Sequence, residues 1–308
     1  QYVGMGRDLW ERFPSVQDVY ARASRALDLS VEDLSFKGPA EELNQTRATQ
    51  IAVLTHSIAC LTAFREVLGR EVVPHAVGGH SLGEYTALVV SGALAFEDAV
   101  RLVARRGSLM AECGRGKLVA TRLTREQAAL VASRFYCVPS AFNLPQQTVI
   151  GGPDADIAAF SEHLRAARKS VAYPLNTAGA FHTYLMLKAA ELLRPELESV
   201  TFSAPRCQVL SNYLGRYAEA SPDVLRANLF FQTFHPVEWF ACVRTALDDG
   251  VNLVVEFGGG LGAEASSRRP NLADMLNKSI ALAQSRALYV PAISVETVTQ
   301  AATAVGAL

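Results

Sequence analysis

Apolar residues recur at a period near 3.6 in three long runs, SVQDVYARASRALDL (15–29), TQIAVLTHSIACLTAFREVL (49–68) and FEDAVRLVARRGSLMAE (96–112), and this spacing predicts three helices. Between the last two, PHAVGGHS predicts a short strand ending in a tight turn, followed by a helix over LGEYTALVV. From 117 the texture changes. KLVATRL predicts a strand, and Thr124 with Gln127 forms a capping-box pattern that opens the helix TREQAALVASRF. YCVPSAFN and QTVIGG predict two more strands. PDADIAAFSEHLRAARK predicts a helix, with Pro153 at its start and a stripe of Ile157, Phe160 and Leu164, and SVAYPLN predicts a closing strand. The order β-α-β-β-α-β is the split βαβ, ferredoxin-like arrangement. It predicts a small domain at 117–176 inserted into a large unit formed by 1–116 and 177–308. Further helices are predicted at 183–199 and 235–249 and a strand at VNLVVEFG, with GGGLGAEASSRRP as a flexible connection to a tail that shows no readable pattern.

The length of 308 residues fits two domains of about 150 residues, or one large α/β unit carrying an insertion. Apolar residues make up 50% and charged residues 19%, so disorder is excluded for most of the chain. The 29 basic and 30 acidic residues balance to −1, without the basic excess that a nucleic-acid partner calls for. No run of 18 consecutive apolar residues occurs, and the start QYVGMGRDLWERF is charged where a signal peptide is apolar. A cytoplasmic protein that meets no membrane is expected. Five scattered cysteines with no CxxC predict buried reduced thiols and no metal site.

Candidate chemistry centres on Gly79-His80-Ser81-Leu82-Gly83, a GxSxG run between a predicted strand and helix, the context of a nucleophile elbow. Its glycines are expected to allow the sharp turn, and the serine hydroxyl then projects at a helix N-terminus, where amides favour developing negative charge. A serine nucleophile needs a general base, which is most often histidine. Of six histidines, His56 lies in an apolar helix, His163 on a polar helix face and His75 at the start of the elbow strand. His80 adjoins the serine, but neighbouring side chains diverge on a tight turn, so it is expected to line the pocket. His235 sits just ahead of Pro236. His182, in Gly179-Ala180-Phe181-His182, stands where the chain returns from the insert to the large unit, and it is the best-placed base.

GHSLGEYTAL, Arg105-Arg106-Gly107, GAFH and Gln232-x-x-x-Pro236-Val237-x-Trp239 occur in the order and rough spacing of malonyl-CoA:acyl carrier protein transacylases, a group that includes polyketide synthase acyltransferase domains. The chain resembles that family over about residues 1 to 260. The resemblance implies an α/β-hydrolase-like large domain with an inserted ferredoxin-like small domain. It implies Ser81 as nucleophile, His182 as its base, Arg106 as clamp for a substrate carboxylate, and Gln232 as a group orienting the histidine region. The Leu82 N–H becomes an oxyanion donor, Phe181 narrows the pocket in the manner of malonyl-selecting members, and Asn143 in FNLP resembles the family's Asn-x-Pro segment near the site. The planar fork of arginine suits a carboxylate, where lysine offers only a point charge.

The activity implied is two-step transfer of malonyl from malonyl-CoA, through a serine ester, to the phosphopantetheine thiol of an acyl carrier protein. The chain would act as a monomer or within a larger synthase, for fatty-acid or polyketide synthesis, with no resident cofactor or metal. Arg165, Arg168 and Lys169 are a candidate contact for an acidic carrier. The sequence departs from the family in three places. The family's opening strand and GQGSQ loop are missing before Gln1, so the chain is expected to be part of a longer one. The family's Gly-Pro-Gly reads Gly258-Gly259-Gly260, and Thr183 replaces the commoner serine. The main rival is a serine ester or thioester hydrolase. It has no need of Arg106 and usually places an orienting acid before the histidine, whereas Asp154 and Asp156 fall in the insert. A non-enzymatic docking module is opposed by intact Ser81, His182 and Arg106.

Overall fold

The run at 49–68 is apolar on nearly every face because it is surrounded. In the computed structural model, which describes residues 1–167, 171–260 and 269–307, the helix Thr46–Leu68 packs against the helices Pro14–Leu27, Phe96–Glu112 and Val295–Gly306. Its Ile51, Leu54, Ala59 and Phe64 share one core with Tyr20, Tyr85, Leu102, Val103 and Val298. By length and composition this helix could cross a bilayer, but 67% of its most apolar window is buried inside the protein, so its apolar surface is already covered.

The fold is α/β. Around that helix the strand Ala76–Val77 pairs in parallel with Gln208–Ser211, which pairs antiparallel with Arg216–Tyr217. Leu253–Phe257 pairs in parallel with Leu288–Ala292. The inserted segment forms its own antiparallel sheet, in the order Val138–Leu144, Gln147–Gly152, Lys117–Thr121, Tyr173–Leu175. On one face, Val119 and Ile150 pack under the helices Arg125–Ala132 and Asp154–Ala166 through Ala128, Val131, Ile157, Phe160 and Leu164. On the other, Leu118, Ala141 and Val149 pack on Trp239, Val243 and Leu276 of the large unit. Both faces are covered, which is why KLVAT reads as an apolar run and not as an alternation. The capping box forms as predicted, with Thr124 accepting from the Gln127 N–H and the Gln127 side chain accepting from the Thr124 N–H.

Several elements differ from expectation. The helix predicted at 235–249 is Trp239–Asp248, because Val237 is extended. Its N–H donates to the Ser140 carbonyl and its carbonyl accepts from the Phe142 N–H, joining the large unit to the small sheet. The strand Gln208–Ser211 and the helix Pro222–Gln232 were not predicted. The tail holds two helices, Ala273–Leu282 and Val295–Gly306, flanking the strand Leu288–Ala292. Residues 261–268 of the predicted connection, and Arg168 and Lys169 of the candidate carrier contact, lie outside the described residues.

Candidate active site

Ser81 occupies the left-handed region at φ 51°, the strained backbone expected of an elbow nucleophile. The serine, and not the glycines, makes the sharp bend, which corrects the expectation from the motif. Gly79 is required for another reason: a Cβ on it would lie 2.3 Å from the Gly83 carbonyl carbon, whereas a Cβ on Gly83 would meet nothing within 4 Å. The turn is stapled from the neighbouring strand. Asn212, directly after Gln208–Ser211, accepts the Ser81 N–H at 2.6 Å through Oδ1 and donates from Nδ2 to the Gly79 carbonyl at 2.8 Å.

Ser81 Oγ lies 2.7 Å from His182 Nε2. The opposite ring nitrogen, Nδ1, lies 2.7 Å from the backbone carbonyl of Gln232, which can only accept, so the proton sits on Nδ1 and the Nε2 lone pair faces the serine hydroxyl. His182 also holds a left-handed backbone, φ 59°, and is buried. Thr183 caps the turn that follows, accepting from the Leu185 N–H and donating to the Ala180 carbonyl at 2.6 Å, which is the use of a hydroxyl at that position. Burial, helped by the nearby Arg106 cation and His80 and opposed by the Gln232 carbonyl, pushes the imidazole down to about 3. It is therefore neutral at any ordinary pH, and its Nε2 lone pair is unprotonated. Histidine ¹⁵N shifts recorded from pH 8 to pH 5 should show His182 fixed as the Nδ1–H tautomer; titration near 6.5 would contradict this environment.

Arg106, on Phe96–Glu112, is only 1% exposed. Its Nη2 donates to Ser81 Oγ at 3.0 Å and to Gln232 Oε1 at 3.1 Å, its Nη1 donates to Gln50 Oε1 at 2.9 Å, and its guanidinium carbon stands 5.5 Å from the centre of the Tyr85 ring. Among the described residues no carboxylate lies within ion-pair distance, and its Nε–H is buried without an acceptor. Desolvating a guanidinium without a counter-ion is costly, so this charge is held where an anion from outside can meet it.

The other residues singled out by sequence fall around this centre. Gln232 ends Pro222–Gln232 fully buried, its Nε2 donating to the Ser81 carbonyl at 2.9 Å. His80 points away from the serine hydroxyl, its Nε2 2.9 Å from Asn143 Oδ1 and its ring 5.6 Å from that of Trp239. Leu82 begins the helix Gly83–Val90 as its N-cap, and among the described residues nothing accepts its N–H. Phe181 packs with Leu118, Ala141, Val237 and Trp239, its carbonyl accepting from Ser140 Oγ at 2.8 Å. The remaining four histidines serve elsewhere: His56 is buried beside Cys60, His75 lies 2.5 Å from Asp249, the His163 ring stands 5.5 Å from that of Phe135, and His235 lies among Tyr213, Phe231 and Phe234.

Asp154 does not orient the histidine; it pairs with Lys117 at 3.3 Å on an exposed face. Sequence reasoning missed Gln50, Glu84 and Asn212, none of which stands in a motif that marks a role. Among the described residues no three His, Cys, Asp or Glu side chains gather as a metal site. The arrangement offers a hydroxyl nucleophile bonded to a neutral base, a backbone N–H at a helix start, and a buried cation beside both.

Residues 1–257 match a family model described as acyl transferase domain. A malonyl CoA-acyl carrier protein transacylase from Escherichia coli (strain K12) is 36% identical over 269 residues, covering 84% of this chain and 86% of that protein. One from Bacillus subtilis (strain 168) is 34% identical, covering 84% of each. Among solved structures, an acyl-carrier-protein S-malonyltransferase from Burkholderia pseudomallei 1710b superposes with a TM-score of 0.88 at 30% identity, covering 98% of this chain and 96% of that one. A malonyl-transacylase in complex with its type II PKS acyl-carrier protein also gives 0.88 at 30% identity, covering 98% and 95%.

Proposed function

We propose, given that the chain belongs to the malonyl-CoA:acyl carrier protein transacylase family of acyl transferase domains, that it moves a malonyl group from malonyl-CoA to the phosphopantetheine thiol of an acyl carrier protein. The observation that carries the choice of acyl group is Arg106, a buried guanidinium without a carboxylate partner, 3.0 Å from the nucleophile. A neutral acyl group would leave that charge unpaired; a malonyl carboxylate meets it with a bidentate contact.

In the first half-reaction, His182 Nε2 takes the Ser81 proton as Oγ attacks the thioester carbonyl, and the Leu82 N–H stabilises the oxyanion. Collapse expels CoA, which recovers the proton from His182 and leaves a malonyl ester on Ser81. The carrier's thiol then passes its proton to His182, attacks the ester, and restores the serine hydroxyl. The imidazolium formed at each step keeps its Nδ1–H on the Gln232 carbonyl, so the ring does not turn between steps. Phe181 in the apolar wall would resist a branched acyl group, while His80, held by Asn143, lines the pocket. The protein's own side chains carry the chemistry in this reading, and the product feeds fatty-acid or polyketide synthesis.

Competition between malonyl-CoA and acetyl-CoA tests it. Wild type should prefer malonyl by about 10² or more, because acetyl leaves the buried charge unpaired. Arg106→Ala should lose malonyl transfer by a similar factor while acetyl transfer survives or rises. Equal kcat/KM for the two donors in the wild type would sink the carboxylate clamp and favour a neutral acyl substrate.

A further inference from the structure

Behind the elbow, one buried carboxylate holds two of the residues that aim the reacting groups, Asn212 and Gln232. Glu84, in the first turn of Gly83–Val90, is 2% exposed. A single oxygen, Oε2, accepts the backbone N–H of Asn212 at 3.0 Å and the Nε2–H of Gln232 at 2.8 Å. Asn212 is the residue whose side chain staples Ser81 and Gly79, and Gln232 bonds at once to the Ser81 carbonyl, to Arg106 and to His182. Among the described residues no cation lies within ion-pair distance of Glu84; Arg106 reaches it only across the Gln232 amide.

The donor and acceptor pattern has one consistent solution. A side-chain amide presents oxygen on one side and NH₂ on the other, and a guanidinium can only donate. Glu84, which can only accept when ionised, holds the NH₂ of Gln232, and the oxygen is thereby turned to Arg106. Without an acceptor at 84 the amide NH₂ keeps only the Ser81 carbonyl, one of its two acceptors, and the looser amide lets the guanidinium drift from its place beside Ser81.

We propose that Glu84 is a positioning residue for the transfer reaction, fixing the Gln232 amide and the Asn212 staple so that Ser81, His182 and Arg106 are aimed as one unit. The proposal rests on the acyl-transfer reading above. It carries a second consequence, because the carboxylate is an anion one amide away from the cation meant for the substrate. Burial pushes Glu84 up to about 7, opposed by its hydrogen bonds from Gln232, Asn212 and Ser211 and by the Arg106 charge. Its ionisation therefore changes within the assay range, and each increment of negative charge competes with the incoming carboxylate for Arg106. The other groups facing it do not titrate there: His182 is held far lower, and Tyr85 and Cys242 are pushed up by burial.

Two variants separate the roles. Glu84→Gln keeps an acceptor oxygen without the charge, and Glu84→Ala removes both. Glu84→Ala should lower kcat for transfer by about 10²-fold, the scale of a small misplacement at a reacting centre, whereas Glu84→Gln should hold kcat within about fivefold. In the wild type the KM for malonyl-CoA should rise by at least about threefold from pH 6 to pH 8, and in Glu84→Gln that rise should flatten. A folded Glu84→Ala with kcat within threefold of wild type would overturn the proposal, as would a Glu84→Gln with the wild-type pH dependence. If Glu84→Ala does not fold, the Glu84→Gln profile alone decides. Wild-type acylation with malonyl-CoA, read by intact mass, tests the substrate reading separately. If the wild type takes another acyl group, the variant kcat ratios are read on that group.

Discussion

Ser81→Ala should leave no acyl adduct on the protein after incubation with malonyl-CoA, and transfer should fall by about 10⁴-fold or more. The expectation follows from what surrounds the hydroxyl. Of the side chains bonded to the elbow, Arg106, Gln232 and Asn212 have no nucleophilic atom, and His182 lies behind Oγ with Nε2 turned toward it. The nearby hydroxyl of Thr183 is occupied by the Ala180 carbonyl and the Leu185 N–H. Alanine keeps a Cβ on the same backbone, so the turn, held by Asn212 through main-chain atoms, should persist. Intact-mass spectrometry reads the result directly: a retained malonyl adduct would place the nucleophile elsewhere.

His182→Ala should slow acylation by about 10² to 10⁴, the range for losing general acid-base help. The loss should fall on both half-reactions, because the same Nε2 takes the serine proton and then the thiol proton. The Gln232 carbonyl would lose its donor, but Arg106 would still hold Ser81 Oγ, so binding should suffer less than the chemical step. Single-turnover rates with malonyl-CoA are the measurement. A drop of less than threefold would move the base to another residue, and His80, turned to Asn143, is not placed to serve.

What could be read from the sequence was what is local. The long helices announced themselves by period, and the capping box by Thr124 and Gln127, because each depends on residues within a turn or two. Ser81 and His182 stood in short motifs whose neighbours already restrict the backbone. The elements not read had weaker signals. Gln208–Ser211 is four residues without alternation. The last helix is built from alanine, threonine and valine and capped through Thr297 where a glutamate or glutamine is usual. Pro222–Gln232 does carry a start signal in Ser221 and Pro222, but a short one with no capping side-chain bond behind it.

Gln50, Glu84 and Asn212 are a different case. Their partners lie 56, 148 and 131 residues away, Arg106, Gln232 and Ser81 respectively, and their meaning arises only when four helices and a strand converge. In the sequence Glu84 reads as an ordinary acid in the first turn of a helix, where the macrodipole would favour it for no functional reason, and its burial is not announced there.

Ser81 and His182, the two residues proposed to exchange the proton, both hold a backbone that side-chain-bearing residues avoid. Glycine or asparagine suits that conformation better, so a procedure that ranks residues by how comfortably they sit on this backbone would replace both. Improved thermal resistance and lost turnover would then arrive together, from the same two substitutions. The side chains assigned to the proposed reaction are the ones the main chain, left to itself, would not select.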